Sequence, residues 1–137
     1  MRVLVVYYSR SGNVKKTAEK AAASRNADLL EIKDTVNRKG PVGYIKSGYH
    51  AVKKKSTPIG RIDTDISSYD RVVICGPVWA GTMASPVRTF LQKYKSQIRE
   101  AEYMLLHASK DNNYDGIFEE MDVILGKTAV MRTSLSR

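Results

Sequence analysis

Cysteine is nearly absent from this 137-residue chain, which contains Cys75 alone. A single thiol excludes an internal disulfide and any CxxC redox or zinc motif, and it is typical of a reducing compartment. The apolar run Val3–Val6 near the start is too short for a signal-peptide core or a membrane span. We therefore expect a cytoplasmic protein without a membrane association. A chain of this length is expected to form one domain over residues 1–137, with a core of its own.

Acidic residues are scarce as well, with 14 Asp and Glu against 23 Lys and Arg and a net charge of +9. The imbalance is largest between Thr35 and Arg61, where there are seven Lys or Arg residues and no Asp or Glu. Such a run is compatible with a solvated face, and also with a docking surface for an acidic, ferredoxin-like partner. Nucleic acid is a less favoured partner, because only Tyr44 and Tyr49 supply aromatic rings in this run.

Apolar strand-like segments alternate with helix-like segments along the chain. Strands are predicted at 2–7, 27–33, 71–75, 102–107 and 127–132, and helices at 12–25, 44–54, 85–97 and 114–125. Ser85 is predicted to cap the third helix, with Pro86 at the first helical position. This alternation predicts an α/β fold with a doubly wound, five-stranded parallel sheet and right-handed crossovers.

A polar loop with one glycine follows the first predicted strand. In such sheets ligands bind beyond the carboxyl ends of the strands. The loop leads straight into a helix and consists of Ser9, Arg10, Ser11, Gly12, Asn13 and Val14. Gly12 permits a tight turn, and hydroxyl and backbone N–H groups near a helix N-terminus favour a phosphate. The alternative is a capped helix start that binds nothing.

A second loop follows the third predicted strand and includes Pro77, Val78, Trp79, Ala80, Gly81 and Thr82. Trp79 is the only tryptophan, and its ring can stack on a flat ligand while nearby amides meet heteroatoms on the ligand's edge. The alternative is a tryptophan that covers the end of the sheet. A third wall is expected from the loop after the fourth strand, with Ser109, Asp111 and Tyr114, although a plain solvated loop fits this segment too.

Two of these segments resemble the flavodoxins. Residues 7–13 resemble the family's FMN phosphate loop, and residues 76–91 are similar to its isoalloxazine loop and following helix. The resemblance covers nearly the whole chain and implies a strand order of 2-1-3-4-5 and FMN as cofactor. It also implies that residues 9–13 hold the phosphate, residues 77–81 line the flavin ring, and residues 109–114 cover its pyrimidine side. A peptide next to Gly81, on either side, is implied as the partner of the flavin N5.

Three departures from the family accompany this resemblance. Val14 stands where the family often has a threonine, and the chain is basic where typical flavodoxins are acidic. No segment after the fifth predicted strand corresponds to the usual final helix. We therefore expect uncovered apolar sheet surface near the last strands, and self-association into a homodimer is a hypothesis. A truncated chain, or another segment folding over this face, would be the alternative.

The expected function is that of an FMN-binding carrier which shuttles single electrons between redox partner proteins. Because the flavin supplies the chemistry, no side chain is predicted as a catalytic acid or base. No metal site is predicted, since His50 and His107 lack nearby cysteines or acidic clusters. The alternatives are an NAD(P)H-dependent FMN or quinone reductase on the same fold, and a flavin-free protein that binds through its basic segment.

Overall fold

A parallel sheet forms the centre of the computed structural model, which describes residues 1–35, 39–54, 56–108 and 114–136, without the side chains of 51 and 52. Its strands are β1 (Val3–Tyr7), β2 (Asp28–Glu31), β3 (Arg71–Trp79), β4 (Thr82–Met83), β5 (Ala101–His107) and β6 (Met131–Ser136). The order is β2-β1-β3-β5-β6, with β4 pairing antiparallel to the end of β3. The five long strands are parallel, which confirms the predicted architecture and strand order.

The four α-helices of the described residues are α1 (Asn13–Arg25), α2 (Gly40–Val52), α3 (Ser85–Tyr94) and α4 (Asp115–Leu125). Successive residues of a strand point to opposite faces, so the sheet has two apolar layers. On one face, α1 places Val14 and Ala18 against Val5 and Cys75. The other layer is larger, and its helical members come from α3 and α4, including Phe90, Leu91, Phe118 and Met121. None of these helices is long and apolar enough to cross a lipid bilayer.

Two predicted strand boundaries are wrong. The third strand does not end at Cys75 but continues to Trp79, because Val78 and Trp79 pair with Met83 and Thr82 in a hairpin. The fifth strand is not at 127–132 but at Met131–Ser136. The residues before it form a connection instead: Lys127 Nζ donates to Arg99 O at 3.2 Å, and the Ala129 N–H donates to Asp122 Oδ1 at 3.0 Å.

One predicted helix start and one predicted helix cap also differ from the structure. α2 begins at Gly40 rather than at Tyr44. Pro41 does not prevent this earlier start, because proline, which lacks an N–H, is tolerated in the first turn of a helix. The cap of α3 is Ala84, so Ser85 and Pro86 are already inside the helix. No helix follows β6 within the described residues, and Val130 and Met131 are about half exposed there. Self-association through this region stays a prediction.

Candidate functional site

A cleft of about 270 Å³ opens at the carboxyl edge of the sheet. Four segments far apart in sequence enclose it: the β1–α1 loop, the middle of α2, the end of β3 with its turn, and the end of β5. Its lining residues are Arg10, Ser11, Asn13, Val14, Tyr44, Ile45, Ser47, Gly48, Pro77, Val78, Trp79, Ala80, Leu106 and Ala108. The position agrees with the general rule that doubly wound sheets bind ligands beyond their carboxyl edge.

The β1–α1 loop brings the N-terminus of α1 to this cleft. Gly12 is the N-cap and has a φ of 97°, a backbone conformation that L side chains rarely adopt. Its N–H donates to Ser9 Oγ at 2.9 Å, which closes the turn. The first turn of α1 carries no acidic residue, and the glycine cap has no side chain to satisfy the helix N–H groups. The helix start therefore presents donors and a favourable field to an anion.

The hairpin of β3 and β4 forms the apolar side of the cleft. Trp79 pairs with Thr82, so Ala80 and Gly81 are a two-residue turn, and their φ values of 47° and 79° make it a type I′ turn. The Trp79 ring packs edge-on against Tyr8, with 5.5 Å between ring centroids and 86° between ring planes. This contact fixes the indole at the rim of the cleft.

The structure gathers many, but not all, of the predicted site residues at the cleft. Arg10, Ser11, Asn13, Val14 and residues 77–80 line it, whereas Ser9 and Gly12 close the turn of the loop without lining the cleft. Thr82 is buried, and its Oγ1 accepts a hydrogen bond from Arg88 at 3.4 Å. Gly81 completes the turn without lining the cleft.

The third predicted wall is only partly described. Ser109 and Asp111 lie outside the described residues. Tyr114 is buried and stacks on His107, with ring centroids 4.4 Å apart, and it does not line the cleft. The part of this region that belongs to the cleft is instead the end of β5, through Leu106 and Ala108. As ligand contacts, all of the predicted site residues stay predictions.

The contribution of α2 is missing from the sequence-based site. Tyr44, Ile45, Ser47 and Gly48 line the cleft. Arg10 ties this helix to the phosphate-type loop, since its Nη2 donates to Gly40 O at 3.2 Å and its guanidinium lies 5.7 Å from the centre of the Tyr44 ring. The position of α2 could have been inferred from the predicted strand order. The chain passes from strand two back across strand one to strand three, so the intervening helix crosses near the site.

The chemistry of the cleft lining is that of a binding site. Its described residues include Arg10 as a cation, but no Asp, Glu, His or Cys. Nor do the described residues anywhere contain a group of three or more His, Cys, Asp or Glu that could hold a metal ion. Cys75 lies inside the sheet, where burial and the charge of Glu102 raise the pKa of its thiol to about 12. The thiol is therefore protonated at neutral pH and does not act as a nucleophile.

A wider depression of about 530 Å³ shares Arg10 with the cleft. Residues of both charges line it, among them Glu31, Lys33, Asp34 and Lys39. We place the candidate site in the smaller cleft, because that cleft combines the N-terminus of α1 with the apolar Trp79 hairpin.

Comparison with protein families gives a match over most of the chain, to the family described as flavodoxin, over residues 2–101. Among curated proteins, an NAD(P)H dehydrogenase (quinone) of Cupriavidus metallidurans is 29% identical over 97 residues, covering 67% of this chain and 46% of that protein. A protein of the same name from Caulobacter vibrioides is 28% identical over 94 residues, covering 65% and 44%. The chain thus spans less than half the length of these relatives.

Solved structures resemble the chain over nearly its whole length. A flavoprotein of Lactobacillus acidophilus, crystallised in complex with FMN, has a TM-score of 0.82 at 26% identity and covers 97% of this chain and 92% of its own. A putative flavoprotein of Bacteroides uniformis has a TM-score of 0.81 at 15% identity, covering 98% and 90%. The second likeness shows the fold alone.

Proposed function

The chain belongs to the flavodoxin family, and we propose that it binds FMN in the cleft and carries electrons between redox partner proteins. The observation that carries this proposal is the meeting, in one cleft, of the glycine-capped start of α1 and the Trp79 hairpin. A structural relative that is 26% identical was crystallised with FMN, which supports the choice of ligand.

The end of the cleft near α1 fits a phosphate. The Arg10 guanidinium, the Ser11 hydroxyl and the N-terminal N–H groups of α1 are donors, and no acidic side chain lines the cleft among the residues that the structure describes. A hydrogen bond to a charged group contributes about 1.5–3 kcal/mol. Two such bonds to phosphate would therefore favour FMN over riboflavin by about 3 kcal/mol or more, which is a hundredfold or more in affinity.

The remainder of the cleft fits a flat, largely apolar ring. Trp79, Val78, Ile45 and Leu106 provide aromatic and aliphatic surface there. The turn at Ala80 and Gly81 adds backbone amide groups at the rim, which can bond to heteroatoms on the edge of a ring. When bound, FMN would supply the redox chemistry, and the protein would supply its binding, orientation and electrostatic surroundings.

The first test is flavin retention and its dependence on phosphate. We expect the protein mixed with FMN to stay yellow after desalting, and fluorescence titration to give an affinity for FMN about a hundredfold or more above that for riboflavin. Equal affinities would refute the phosphate assignment, and no retained flavin would refute the cofactor proposal. Gly12→Val should abolish FMN binding, because its side chain would strain the turn and occupy the approach to the α1 donors.

A matched pair of variants tests the ring end of the cleft. Trp79→Ala should weaken FMN and riboflavin alike, because it removes ring contacts that both flavins share. Trp79→Phe should keep most of the affinity, since an aromatic ring of similar orientation remains. A Trp79→Ala variant with unchanged affinity for both flavins would place the ring elsewhere.

The second candidate is an NAD(P)H-dependent quinone reductase, favoured by the names of the curated relatives. We favour the carrier because the described cleft lining contains no Asp, Glu, His or Cys to move a proton to a substrate. Anaerobic stepwise reduction separates the two. A carrier should give a strong flavin radical signal in electron paramagnetic resonance and no NAD(P)H-driven quinone turnover above that of free FMN. Turnover of quinone with NADH or NADPH, without radical accumulation, would establish the reductase.

A further inference from the structure

Helix α2 turns small residues toward the protein and large apolar side chains toward solvent. Surface helices normally turn their large apolar side chains inward and their polar side chains outward. In α2 the small residues Gly43 and Ser47 are buried, whereas Val42 is 73% exposed, Ile45 70% and Tyr49 51%. The Ser47 hydroxyl is satisfied within the helix, since it donates to Gly43 O at 2.8 Å. Packing in the isolated chain therefore does not explain the apolar side of α2.

The exposed side of α2 is also cationic. Positions 42, 46, 49 and 53 follow one another at helical spacing and lie on one side, since the Lys53 N–H donates to Tyr49 O and continues the helix pattern. We call this surface the α2 face and define it as Val42, Ile45, Lys46, Tyr49 and Lys53. Both lysines are exposed, and the sequence from Thr35 to Arg61 contains no acidic residue.

The α2 face is continuous with the candidate flavin site. Ile45 belongs both to the face and to the cleft lining, and Tyr44 next to it also lines the cleft. A protein seated on this face would thus lie at the mouth of the cleft. Apolar side chains surrounded by charges of one sign are typical of a surface that binds a partner of the opposite charge.

We infer that the α2 face is the docking surface for an acidic electron-transfer protein. This inference rests on the proposed electron-carrier function. The charge of the face selects the occupant, because two copies of this chain, each with a net charge of +9, would bring Lys46 and Lys53 of both copies together. The same lysines attract an acidic protein as it approaches, and they steer it toward the cleft.

The experiment measures binding of a plant-type ferredoxin, used as a small acidic one-electron carrier, to the FMN-mixed protein and to the untreated protein. We expect the affinity to fall about tenfold as NaCl rises from about 20 to about 300 mM, because salt screens the attraction. Lys46→Glu combined with Lys53→Glu should weaken binding at low salt about tenfold or more. The matched control, Lys20→Glu with Lys95→Glu, makes the same charge change at exposed lysines outside α2 and should change the affinity less than twofold.

A second pair of variants tests the apolar part of the face. Val42→Ser should weaken ferredoxin binding about fivefold to tenfold, because it removes apolar surface that the complex buries. Val123 lies on α4 and is 81% exposed, so Val123→Ser is the matched control and should leave binding unchanged. None of these substitutions lies in the cleft lining, and each variant should retain FMN as the unchanged protein does.

The outcomes separate this inference from the proposed function. If FMN is retained but the α2 variants bind ferredoxin no differently from their controls, the docking surface is wrong and the cofactor proposal stands. If ferredoxin binding follows the α2 pattern while no flavin is retained, the cofactor proposal is wrong and the docking surface stands. The inference is also overturned if sedimentation shows a dimer that Val42→Ser dissociates, or if the α2 lysines are needed for anionic lipid vesicles and not for ferredoxin.

Discussion

Ala80 is held in a left-handed conformation at the rim of the cleft. Its φ is 47°, and it precedes Gly81 in the two-residue turn between β3 and β4. Type I′ turns need positive φ at both central residues, which is why glycine and asparagine predominate there. Ala80 is exposed, so its methyl group gains little from packing. The substitution Ala80→Gly should therefore relieve strain without removing a contact.

The magnitude follows from two opposing effects. An L-residue in the left-handed region costs about 1–2 kcal/mol, and glycine avoids this cost. Glycine in turn loses more conformational entropy on folding, which costs about 0.5–1 kcal/mol. We expect a net gain of about 1 kcal/mol in the free energy of unfolding, and a melting temperature higher by about 3–4 °C for a domain of this size.

Urea unfolding and calorimetry of the flavin-free protein measure this effect, with Ala23→Gly as the control. Ala23 is exposed within α1, where glycine is unfavourable, so this variant should lose about 0.5–1 kcal/mol. The same chemical change thus has opposite signs at the two positions. A destabilised Ala80→Gly protein would refute the left-handed conformation of Ala80, and with it the type I′ turn.

Three further predictions concern the core. The pKa of the Cys75 thiol is about 12 against an ordinary 9.0, so this thiol ionises at lower pH in the unfolded chain than in the folded protein. Its contribution to the free energy of unfolding should be complete below pH 9 and should be lost as the pH rises toward 12. Cys75→Ala should reduce the slope of the free energy of unfolding against pH in this range by about 1.4 kcal/mol per pH unit. Glu102, 1% exposed, meets Arg25 at 2.6 Å, so Glu102→Gln should cost about 3 kcal/mol in urea unfolding, against less than about 1 for Glu100→Gln, whose side chain is 33% exposed. A Cβ on Gly76 would lie 2.7 Å from Val87 Cγ2, so Gly76→Ala should cost about 1–3 kcal/mol, and adding Val87→Ala should restore part of it.

The sheet could be predicted from the sequence because its central strands, β1, β3 and β5, are largely buried. The continuous apolar runs in β1 and β3 leave few other placements, and the helices between the strands impose parallel pairing. The order of the strands came from the resemblance to the flavodoxins rather than from hydrophobic periodicity. Strand ends were less predictable, since β6 consists largely of partly exposed residues without a clear apolar pattern.

The candidate site was predictable where one segment of chain builds it. The β1–α1 loop has a glycine, hydroxyls and a helix start within a few residues, so its chemistry can be identified locally. The hairpin turn was missed because Gly76 and Pro77 suggest the end of a strand, whereas β3 continues through both residues into its pairing with β4. Pro77 lacks a backbone N–H, but residues beyond it still pair.

Helix α2 shows why periodicity alone leaves function undetermined. A helical apolar pattern normally identifies the side that faces the core, and Val42, Ile45 and Tyr49 follow such a pattern. The structure places these side chains in solvent, because the small Gly43 and Ser47 allow the opposite side to pack closely on the protein. The same apolar pattern that predicts a helix can therefore belong to a surface that binds a partner protein. Burial on the folded chain is the observation that separates the two, and in α2 it favours the partner.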